Sequence, residues 1–275
     1  MRDFLLLLAL VLSVGTAGVS TPGYAQDGPV KEVPASKVEL VEFDSNESQK
    51  RLMRSTAKVD FFRLVNEFEP QMNIGTCGPT SSVIVLNAIR PSSDLRRPVD
   101  RSAFPEERWS KLPEGFSPVK GRYTQRAFFD DKFTAVKSKG RFYAEKDEEG
   151  KRDPGLQARQ LHDILVLHGL DSTLRIVTDD VPAAKVKKEL IANLKRADDY
   201  VIINYHRQAL GQPGGGHISP VAAYDAKSDS FLIMDVNANK APWVWVRSSD
   251  LITAMRTFDK KENRGYVLVK EGTPK

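Results

Sequence analysis

The sequence predicts an α+β fold, because its apolar residues follow a helical spacing before residue 200 and a strand-like spacing after it. Residues 77–89, 156–169 and 184–195 each carry apolar side chains at helical intervals. Beyond them come short runs rich in β-branched and aromatic residues, separated by Gly, Asp, Ser, Asn or Pro. Since brief turns join these runs, we expect an antiparallel sheet with a helical lobe packed on it.

The helical part of the chain is predicted to surround one buried helix. Residues 45–55 begin with cap-forming side chains and predict a short surface helix, whereas the irregular pattern of 61–73 predicts a loop. The segment 77–89 is apolar on all sides and has Pro in its first turn, so it predicts a buried central helix. Residues 91–155 are rich in Pro, Gly, Lys and Asp and predict surface loops with short helices. The remaining predicted elements are the helices 156–169 and 184–195 and the strands 201–205, 218–224, 230–236, 243–246 and 265–269.

The N-terminus has the features of a signal peptide, which is removed from the mature chain. An Arg near the start is followed by a short apolar run, and Gly23 and Ala25 suit the −3 and −1 positions of a cleavage site. An uncleaved anchor helix is the alternative, although the run is short for a membrane span. We expect a periplasmic or secreted protein with no stable membrane anchor after cleavage. The expected domains are a signal peptide at 1–25, an extended lead-in at 26–45 and one domain at 46–275 that carries the candidate catalytic residues.

The charges of the chain argue against nucleic-acid binding. The formal net charge is +5, but it is spread among stretches of mixed sign. A nucleic-acid-binding chain would instead gather its basic residues in a stripe with interleaved aromatic side chains. A modest positive balance is compatible with a small anionic substrate.

Cys77 is the only cysteine of the chain, so no internal disulfide can form. In an exported protein such a residue is either a buried inert thiol or a free reactive one. Its place at the start of a predicted helix favours the reactive form, since the partial positive charge of a helix N-terminus stabilises a thiolate. A nucleophilic thiol also needs a neighbouring base.

His217 is the candidate base among the four histidines. It follows a run of three glycines that ends at Gly216, and this run allows close backbone approach and leaves room for a substrate beside the ring. A histidine in a hairpin turn is the alternative. Asp235 follows eighteen residues later, across a turn, and would fix the orientation of the imidazole. The other histidines are expected to be surface or packing residues (His162 and His168) or to line a cleft (His206).

Gln71 lies six residues before Cys77, where its amide and the backbone N–H of the cysteine would stabilise an oxyanion. A solvated loop glutamine is the alternative. Cysteine on an early helix, followed by histidine and aspartate on a late sheet, is the chain order of papain-like enzymes. The pattern therefore favours a thiol enzyme.

Four segments share their order and spacing with a known family. They are QMNIGTCGPTSSVIVLNAI (71–89), YHRQALGQPGGGHISPVAAYD (205–225), FLIMDV (231–236) and APWVWV (241–246). Together they resemble the catalytic domain of phytochelatin synthases, most closely the bacterial single-domain type. The resemblance extends over residues 55–270.

This resemblance implies a papain-like fold and an enzyme that cleaves glycine from glutathione. The γ-glutamylcysteinyl group forms a thioester and then passes to a second glutathione or to water. The implied catalytic residues are Cys77 as nucleophile, His217 as general base and acid, Asp235 as the residue that orients the imidazole and Gln71 in the oxyanion hole. The expected substrate-binding residues are Arg207, Gly216, Asp259 and Arg264, with ordinary surface charge as the alternative for the two arginines. The loop between Asp259 and Arg264 is shorter here than in the family.

We expect hydrolysis of glutathione as the main activity, because no Cys-rich extension of the plant type follows the last predicted strand. No cofactor is expected, and cadmium or similar ions would act as thiolate complexes of the substrate. One cysteine with dispersed histidines does not match a structural zinc site. The expected partners are glutathione and its metal complexes, and a homodimer stays open. Two alternatives remain: a non-catalytic periplasmic protein that binds glutathione or metal thiolates, and a papain-like peptidase with another substrate.

Overall fold

The centre of the fold is an antiparallel sheet. The computed structural model describes residues 38–91, 94 and 96–273. Its strands are β1 (Val41–Glu42), β2 (Leu170–Ile176), β3 (Asp199–His206), β4 (Gly216–Asp225), β5 (Ser230–Ile233), β6 (Val244–Arg247) and β7 (Gly265–Glu271). They form one seven-stranded sheet in the order β1-β6-β5-β4-β3-β7-β2, and all neighbours are antiparallel. The α+β class predicted from the sequence is confirmed.

Helices cover both faces of this sheet. In the described residues they are α1 (Asn46–Arg54), α2 (Phe61–Glu67), α3 (Cys77–Ile89), α4 (Glu106–Trp109), α5 (Asp131–Val136), α6 (Lys139–Phe142), α7 (Ala158–Leu167), α8 (Ala183–Leu194) and α9 (Ser248–Met255), with 3₁₀ turns at Arg101–Ala103 and Arg207–Leu210. Side chains alternate along β3, so Tyr200 and Ile202 pack with α3 and α7 while Val201 and Ile203 pack with α8 and α9.

The central helix α3 begins at Cys77, as the sequence predicts, and every residue from Gly78 to Ile89 is buried. The hydroxyl of Ser81 donates a hydrogen bond to the carbonyl of Ile218 in β4 (3.2 Å). Gly78 packs closely at this point, since a Cβ there would lie 3.1 Å from a Leu156 methyl group. These contacts hold the start of α3 against the start of β4.

The loop predicted for 61–73 is wrong in its first half, where the chain forms α2. Phe61 and Leu64 lie one turn apart and are buried. Phe62 and Val65 of the same helix are exposed apolar residues. Because apolar side chains occupy both faces, the helical period is hidden in the sequence.

Two further elements, β2 and α9, have no counterpart in the sequence prediction. The helix α9 carries the chain from β6 across the sheet, so that β7 pairs with β3 and β2 instead of with β6. The strand predicted for 230–236 is also shorter, because β5 ends at Ile233.

The segment 91–155 has the predicted short helices, but it does not lie wholly on the surface. Phe128, Phe133 and Phe142 are almost fully buried and stack against one another edge to face. The ammonium group of Lys137 is buried beside Asp153, with Nζ 2.7 Å from Oδ2. This packing brings the end of the segment next to the start of α3.

The proposed signal peptide at 1–25 and the first part of the lead-in at 26–45 lie outside the described residues. The end of the lead-in joins the sheet, since Val41 and Glu42 pair with Trp245 and Val244. In the part of the chain that the structure describes, no helix has the length and apolar character needed to cross a membrane.

Candidate active site

Cys77, His217 and Asp235 lie together where α3 meets β4. Cys77 is the first residue of α3, His217 is the second residue of β4, and Asp235 follows two residues after β5 ends. The His217 ring bonds to Asp235 with Nε2 2.9 Å from Oδ1, and its other side is hydrogen-bonded to the thiol of Cys77. The ring of Tyr205, directly across from His217 on β3, meets the imidazole edge to face at 5.7 Å. The imidazole is therefore held on three sides.

The ionisation of this group favours a thiolate beside an imidazolium. Burial opposes ionisation of Cys77, but the hydrogen bond and charge of His217, with backbone hydrogen bonds at Ile218 and Gly78, lower the pKa of the thiol. Burial likewise opposes a charged imidazole, yet Asp235 and Cys77 raise the pKa of His217. The pKa of Asp235 is lowered, mainly because bonding to His217 outweighs its burial. The thiol is thus prepared to act as a nucleophile.

Asp235 is fully buried and uses both of its carboxylate oxygens. Besides His217, Oδ1 accepts a hydrogen bond from the backbone N–H of Asn237 (2.8 Å). The hydroxyl of Tyr205 donates to Oδ2 (3.2 Å). A buried carboxylate is stable only with such partners, and here they also fix its direction toward the imidazole.

Arg207 completes the surroundings of Asp235. Its Nη2 lies 2.8 Å from Oδ1 and 2.7 Å from Oδ2, and its side chain is buried. Its Nη1 donates to the side-chain carbonyl of Gln212 (3.3 Å), and its backbone N–H donates to Gly215 (3.0 Å). Arg207 borders the cavity described below, but its charged group faces the carboxylate behind His217.

Gln71 lies on the loop before α3 and borders the same cavity as Cys77. Its Nε2 donates a hydrogen bond to the carbonyl of Asn73 (2.8 Å), and its backbone N–H donates to Val236 (2.7 Å). The second bond ties the loop to the residue after Asp235. The second hydrogen of the side-chain amide takes no part in these two bonds.

Asp259 and Arg264 lie together at the start of β4. Arg264 is almost fully buried, and its Nη2 lies 3.4 Å from Oδ1 of Asp259. The amide of Asn204 donates to Oδ2 of Asp259 (3.1 Å). A Cβ on Gly216 would lie 2.8 Å from Nη2 of Arg264, so a larger residue there would require the guanidinium group to shift. The structure therefore gathers these four residues at one end of the glycine run.

All the candidate residues except Asp235 border one cavity of about 910 Å³. One wall is the glycine run 214–216, and the facing wall is formed by the end of the segment 91–155, from Phe142 to Ala144 and from Asp153 to Leu156. Lys240 and Lys260 also reach it. The cavity is large enough for a peptide of a few residues.

Sequence reasoning missed Tyr205, Asn237, Asn204 and Lys240. Tyr205 carried a signal, because residues paired across an antiparallel ladder share a face and Tyr205 pairs with His217. Nothing in the sequence marks the backbone N–H of Asn237 as a partner of Asp235. Asn204 and Lys240 carry no sequence signal, and only the structure shows that they border the cavity.

Of the other three histidines, two lie away from the cavity and one borders it. His162 bonds through Nδ1 to the Ser172 hydroxyl (2.9 Å), and His168 is stacked on Phe128. His206 is buried and borders the cavity, as expected from the sequence. Within the described ranges, no group of three or more His, Cys, Asp or Glu side chains is arranged to hold a metal ion.

Comparison with known proteins gives the family of this chain. Residues 31–266 match the model of phytochelatin synthase. The chain belongs to the phytochelatin synthase family. The resemblance drawn from its sequence motifs is thereby confirmed.

Curated relatives bear a related name. Glutathione gamma-glutamylcysteinyltransferase 3 of Lotus japonicus is 26% identical over 234 residues, which cover 83% of this chain and 42% of that protein. Glutathione gamma-glutamylcysteinyltransferase 2 of Arabidopsis thaliana is 23% identical over 235 residues, covering 84% and 44% respectively. The corresponding transferase of Schizosaccharomyces pombe is 34% identical over 101 residues, covering 35% and 24%. This chain spans less than half the length of the curated relatives it matches.

Proposed function

We propose that this chain is a glutathione γ-glutamylcysteinyltransferase of papain-like fold that acts through a thioester on Cys77. We propose further that it mainly hydrolyses glutathione to γ-glutamylcysteine and glycine. The observation that supports this most is the hydrogen-bonded series from the Cys77 thiol through His217 to the buried Asp235, which opens onto a peptide-sized cavity. A helix that carries the nucleophile and packs on an antiparallel sheet that carries the base supports the papain-like architecture.

In the first step the thiolate of Cys77 attacks the carbonyl carbon of the Cys–Gly amide of glutathione. The C–S bond forms while the carbonyl electrons move to oxygen, where the backbone N–H of Cys77 and the amide of Gln71 stabilise the negative charge. The imidazolium of His217 then donates its proton to the glycine nitrogen. The C–N bond breaks, glycine leaves, and a γ-glutamylcysteinyl thioester remains on the enzyme.

In the second step His217, now neutral, takes a proton from the acceptor. With water as acceptor, oxygen attacks the thioester carbonyl, the C–S bond breaks, and γ-glutamylcysteine is released with the thiolate restored. With a second glutathione as acceptor, its α-amine nitrogen attacks the thioester carbonyl and the C–S bond breaks. The product is glutathione lengthened by one γ-glutamylcysteine unit. The proportion of the two depends on which acceptor occupies the place that glycine leaves.

The γ-glutamyl end of the substrate carries both an ammonium group and a carboxylate. The pair of Asp259 and Arg264 offers the opposite charges side by side, and Gly216 leaves open space over the guanidinium group. We therefore assign the γ-glutamyl end to this part of the cavity. Arg207, which is held on Asp235, is assigned to positioning the carboxylate and not to the substrate.

The proposal extends to location and metals. We propose that the chain is exported to the periplasm by the signal peptide at residues 1–25. Cadmium and similar ions would enter as thiolate complexes of glutathione, and therefore as part of the substrate. No resident cofactor takes part in the steps above.

The experiment that tests the function is incubation of the mature protein with glutathione, with and without cadmium, and separation of the products by mass. We expect γ-glutamylcysteine and glycine as the main products, with glycine in excess by the smaller amount of γ-glutamylcysteine that is transferred into longer oligomers. If longer oligomers were the main product, the main activity would be transfer to glutathione and the proposed hydrolysis would be wrong.

Substitution of the nucleophile separates catalysis from mere binding. Cys77→Ala is expected to abolish glycine release, whereas glycine release that persists would contradict the thioester and favour a glutathione-binding protein. His217→Asn should lose activity as well, and His162→Asn is the matched control that should keep it, because His162 lies on α7 and does not border the cavity. Cleavage of ordinary α-linked peptides at a rate above that of glutathione would indicate a peptidase instead.

A further inference from the structure

We propose that Asp153, together with Asp259, binds the α-ammonium group at the γ-glutamyl end of the substrate and so makes the enzyme require a free α-amine there. The inference rests on the proposed function and deepens it, because it names a further residue that recognises the substrate. In chemical terms, the ligand of Asp153 is a primary ammonium group on the same carbon as a carboxylate.

Asp153 lies on the cavity wall that faces the glycine run. Its side chain is 20% exposed and borders the cavity beside Pro154 and Gly155. Oδ2 lies 2.7 Å from Nζ of Lys137, whereas Oδ1 accepts no hydrogen bond from the residues that the structure describes. An ammonium group that enters the cavity can therefore bind this oxygen without displacing a protein donor.

The cation beneath Asp153 is buried and fixes the carboxylate in place. The side chain of Lys137 is 4% exposed, and its Nζ also lies 3.4 Å from Oε1 of Gln160. Burial lowers the pKa of Lys137, while the hydrogen bond and the charge of Asp153 act in the opposite direction. A buried ion pair is seldom more stabilising than apolar side chains of the same size. The pair is therefore better explained by the carboxylate that it holds at the cavity wall than by a contribution to folding.

Asp153 lies at the end of the cavity that Asp259 borders. The charge of Asp259 also acts to raise the pKa of Lys137 against the effect of burial. Because such an effect falls off with distance, Asp259 lies near the pair of Lys137 and Asp153. The two segments are also joined directly, since Arg159 donates to both carboxylate oxygens of Glu262 (2.8 and 2.7 Å), three residues after Asp259. The two carboxylates therefore border the same end of the cavity.

An ammonium group needs more acceptors than Asp259 alone offers, because it carries three N–H donors. Oδ2 of Asp259 already accepts a hydrogen bond from the amide of Asn204 (3.1 Å). Its Oδ1 accepts from the backbone N–H of Lys260 (3.1 Å) and lies 3.4 Å from Nη2 of Arg264. Asp153 supplies the further acceptor, and a hydrogen bond between its carboxylate and an ammonium group is charge-assisted.

The test compares glutathione with glutaryl-cysteinylglycine, which has the same scissile amide and both carboxylates but lacks the α-amine. For the wild-type chain we expect kcat/KM to be about 100-fold higher with glutathione, since each of two carboxylates makes a charge-assisted hydrogen bond to the amine. Asp153→Asn should narrow this ratio by about 10-fold, through a lower activity toward glutathione. Each ratio is measured on one variant, so a change in the folded fraction cancels.

Lys137→Met separates binding of the amine from a role in holding the wall. It removes the cation that shares the charge of Asp153, so the ratio should widen, whereas mere loosening of the wall would narrow the ratio as Asp153→Asn does. Asp163→Asn removes the same charge from an exposed site on α7 that does not border the cavity, and it should leave the ratio unchanged.

The outcomes distinguish this inference from the proposed function. A wild-type chain that treats the two substrates alike, or an Asp153→Asn variant that keeps the full ratio, overturns the inference alone. Equal narrowing in Asp153→Asn and Lys137→Met overturns it as well, because the pair would then act only on the wall. A wild-type chain that releases no glycine from glutathione overturns the proposed function and this inference with it.

Discussion

Arg207 and Asp235 form a buried ion pair directly behind the imidazole of His217. Nη2 of the arginine lies within 2.8 Å of both carboxylate oxygens, and the two side chains are 2% and 0% exposed. Removing one partner of a buried pair leaves an uncompensated charge, so such a pair is strongly coupled to its surroundings. Because Oδ1 also bonds to Nε2 of His217, the arginine acts on the thiol through two intervening groups.

We expect Arg207→Gln to lower kcat by about 10- to 100-fold, the effect of a lost charged hydrogen bond on a group that must stay aligned. KM for glutathione should change little. Removal of the positive charge also favours the protonated imidazole, so the pKa of His217 should rise and the alkaline limb of the pH–rate profile should move upward. Steady-state kinetics over a range of pH measures both effects.

Arg207→Lys is the matched control, because it keeps the charge and loses the planar fork. Its pH profile should stay near that of the wild type even though kcat falls. If Arg207→Gln raised KM and left kcat and the pH profile unchanged, the arginine would bind substrate, as the family resemblance implies.

The reactivity of Cys77 should extend to unusually low pH. A thiolate–imidazolium pair dominates between the lowered pKa of Cys77 and the raised pKa of His217. Alkylation of the single cysteine by iodoacetamide should therefore begin well below pH 8.5, where an ordinary thiol ionises. His217→Asn should move the onset upward, and His162→Asn should not. Identical profiles for the wild type and His217→Asn would contradict the pairing.

Gly216→Ala tests the space above Arg264. The added methyl group would lie 2.8 Å from Nη2, so the guanidinium group must shift and its alignment with Asp259 would be disturbed. We expect KM for glutathione to rise by about 10-fold, with a smaller change in kcat. In an Arg264→Ala background the same methyl group should have little further effect, and a double-mutant cycle measures that coupling. Purely additive effects would place the substrate carboxylate elsewhere.

The sequence predicted the helices and strands that are marked by a regular run of apolar or β-branched residues. The run 77–89, with apolar residues on all sides, indicated a buried helix, and the structure has that helix beginning at Cys77. The β-rich runs 201–205, 218–224 and 230–236 indicated strands, and the short turn between the last two indicated that they pair as antiparallel neighbours. In each case several consecutive residues point to the same element, so a short stretch of sequence is enough to recognise it.

The rest depended on contacts between distant segments. Arg207 reads as a surface or substrate-binding residue until the chain after β5 brings Asp235 beside it. Segment 142–157 shows no periodicity, yet it forms a wall of the cavity because buried phenylalanines anchor it. The apolar residues on both faces of α2 conceal its period. Such features follow from tertiary packing, which overrides the local pattern.

We expect His168 to make the protein less stable at acidic pH. Its ring is stacked on Phe128 at 5.2 Å, and burial lowers its pKa to about 4, although Asp130 nearby favours the charged form. In the unfolded chain the pKa returns to about 6.5. The unfolded state therefore binds the extra proton first, and stability is lost as pH falls from about 6.5 toward 4.

The expected loss from this residue is about 2 kcal/mol in the free energy of unfolding between pH 7.5 and pH 4.5. Urea denaturation of wild type and His168→Phe at both pH values measures it, because phenylalanine keeps an aromatic ring against Phe128 and cannot titrate. On acidification, the free energy of unfolding of His168→Phe should fall by about 2 kcal/mol less than that of the wild type. Parallel losses in the wild type and His168→Phe would show that the ring of His168 titrates alike in the folded and unfolded states.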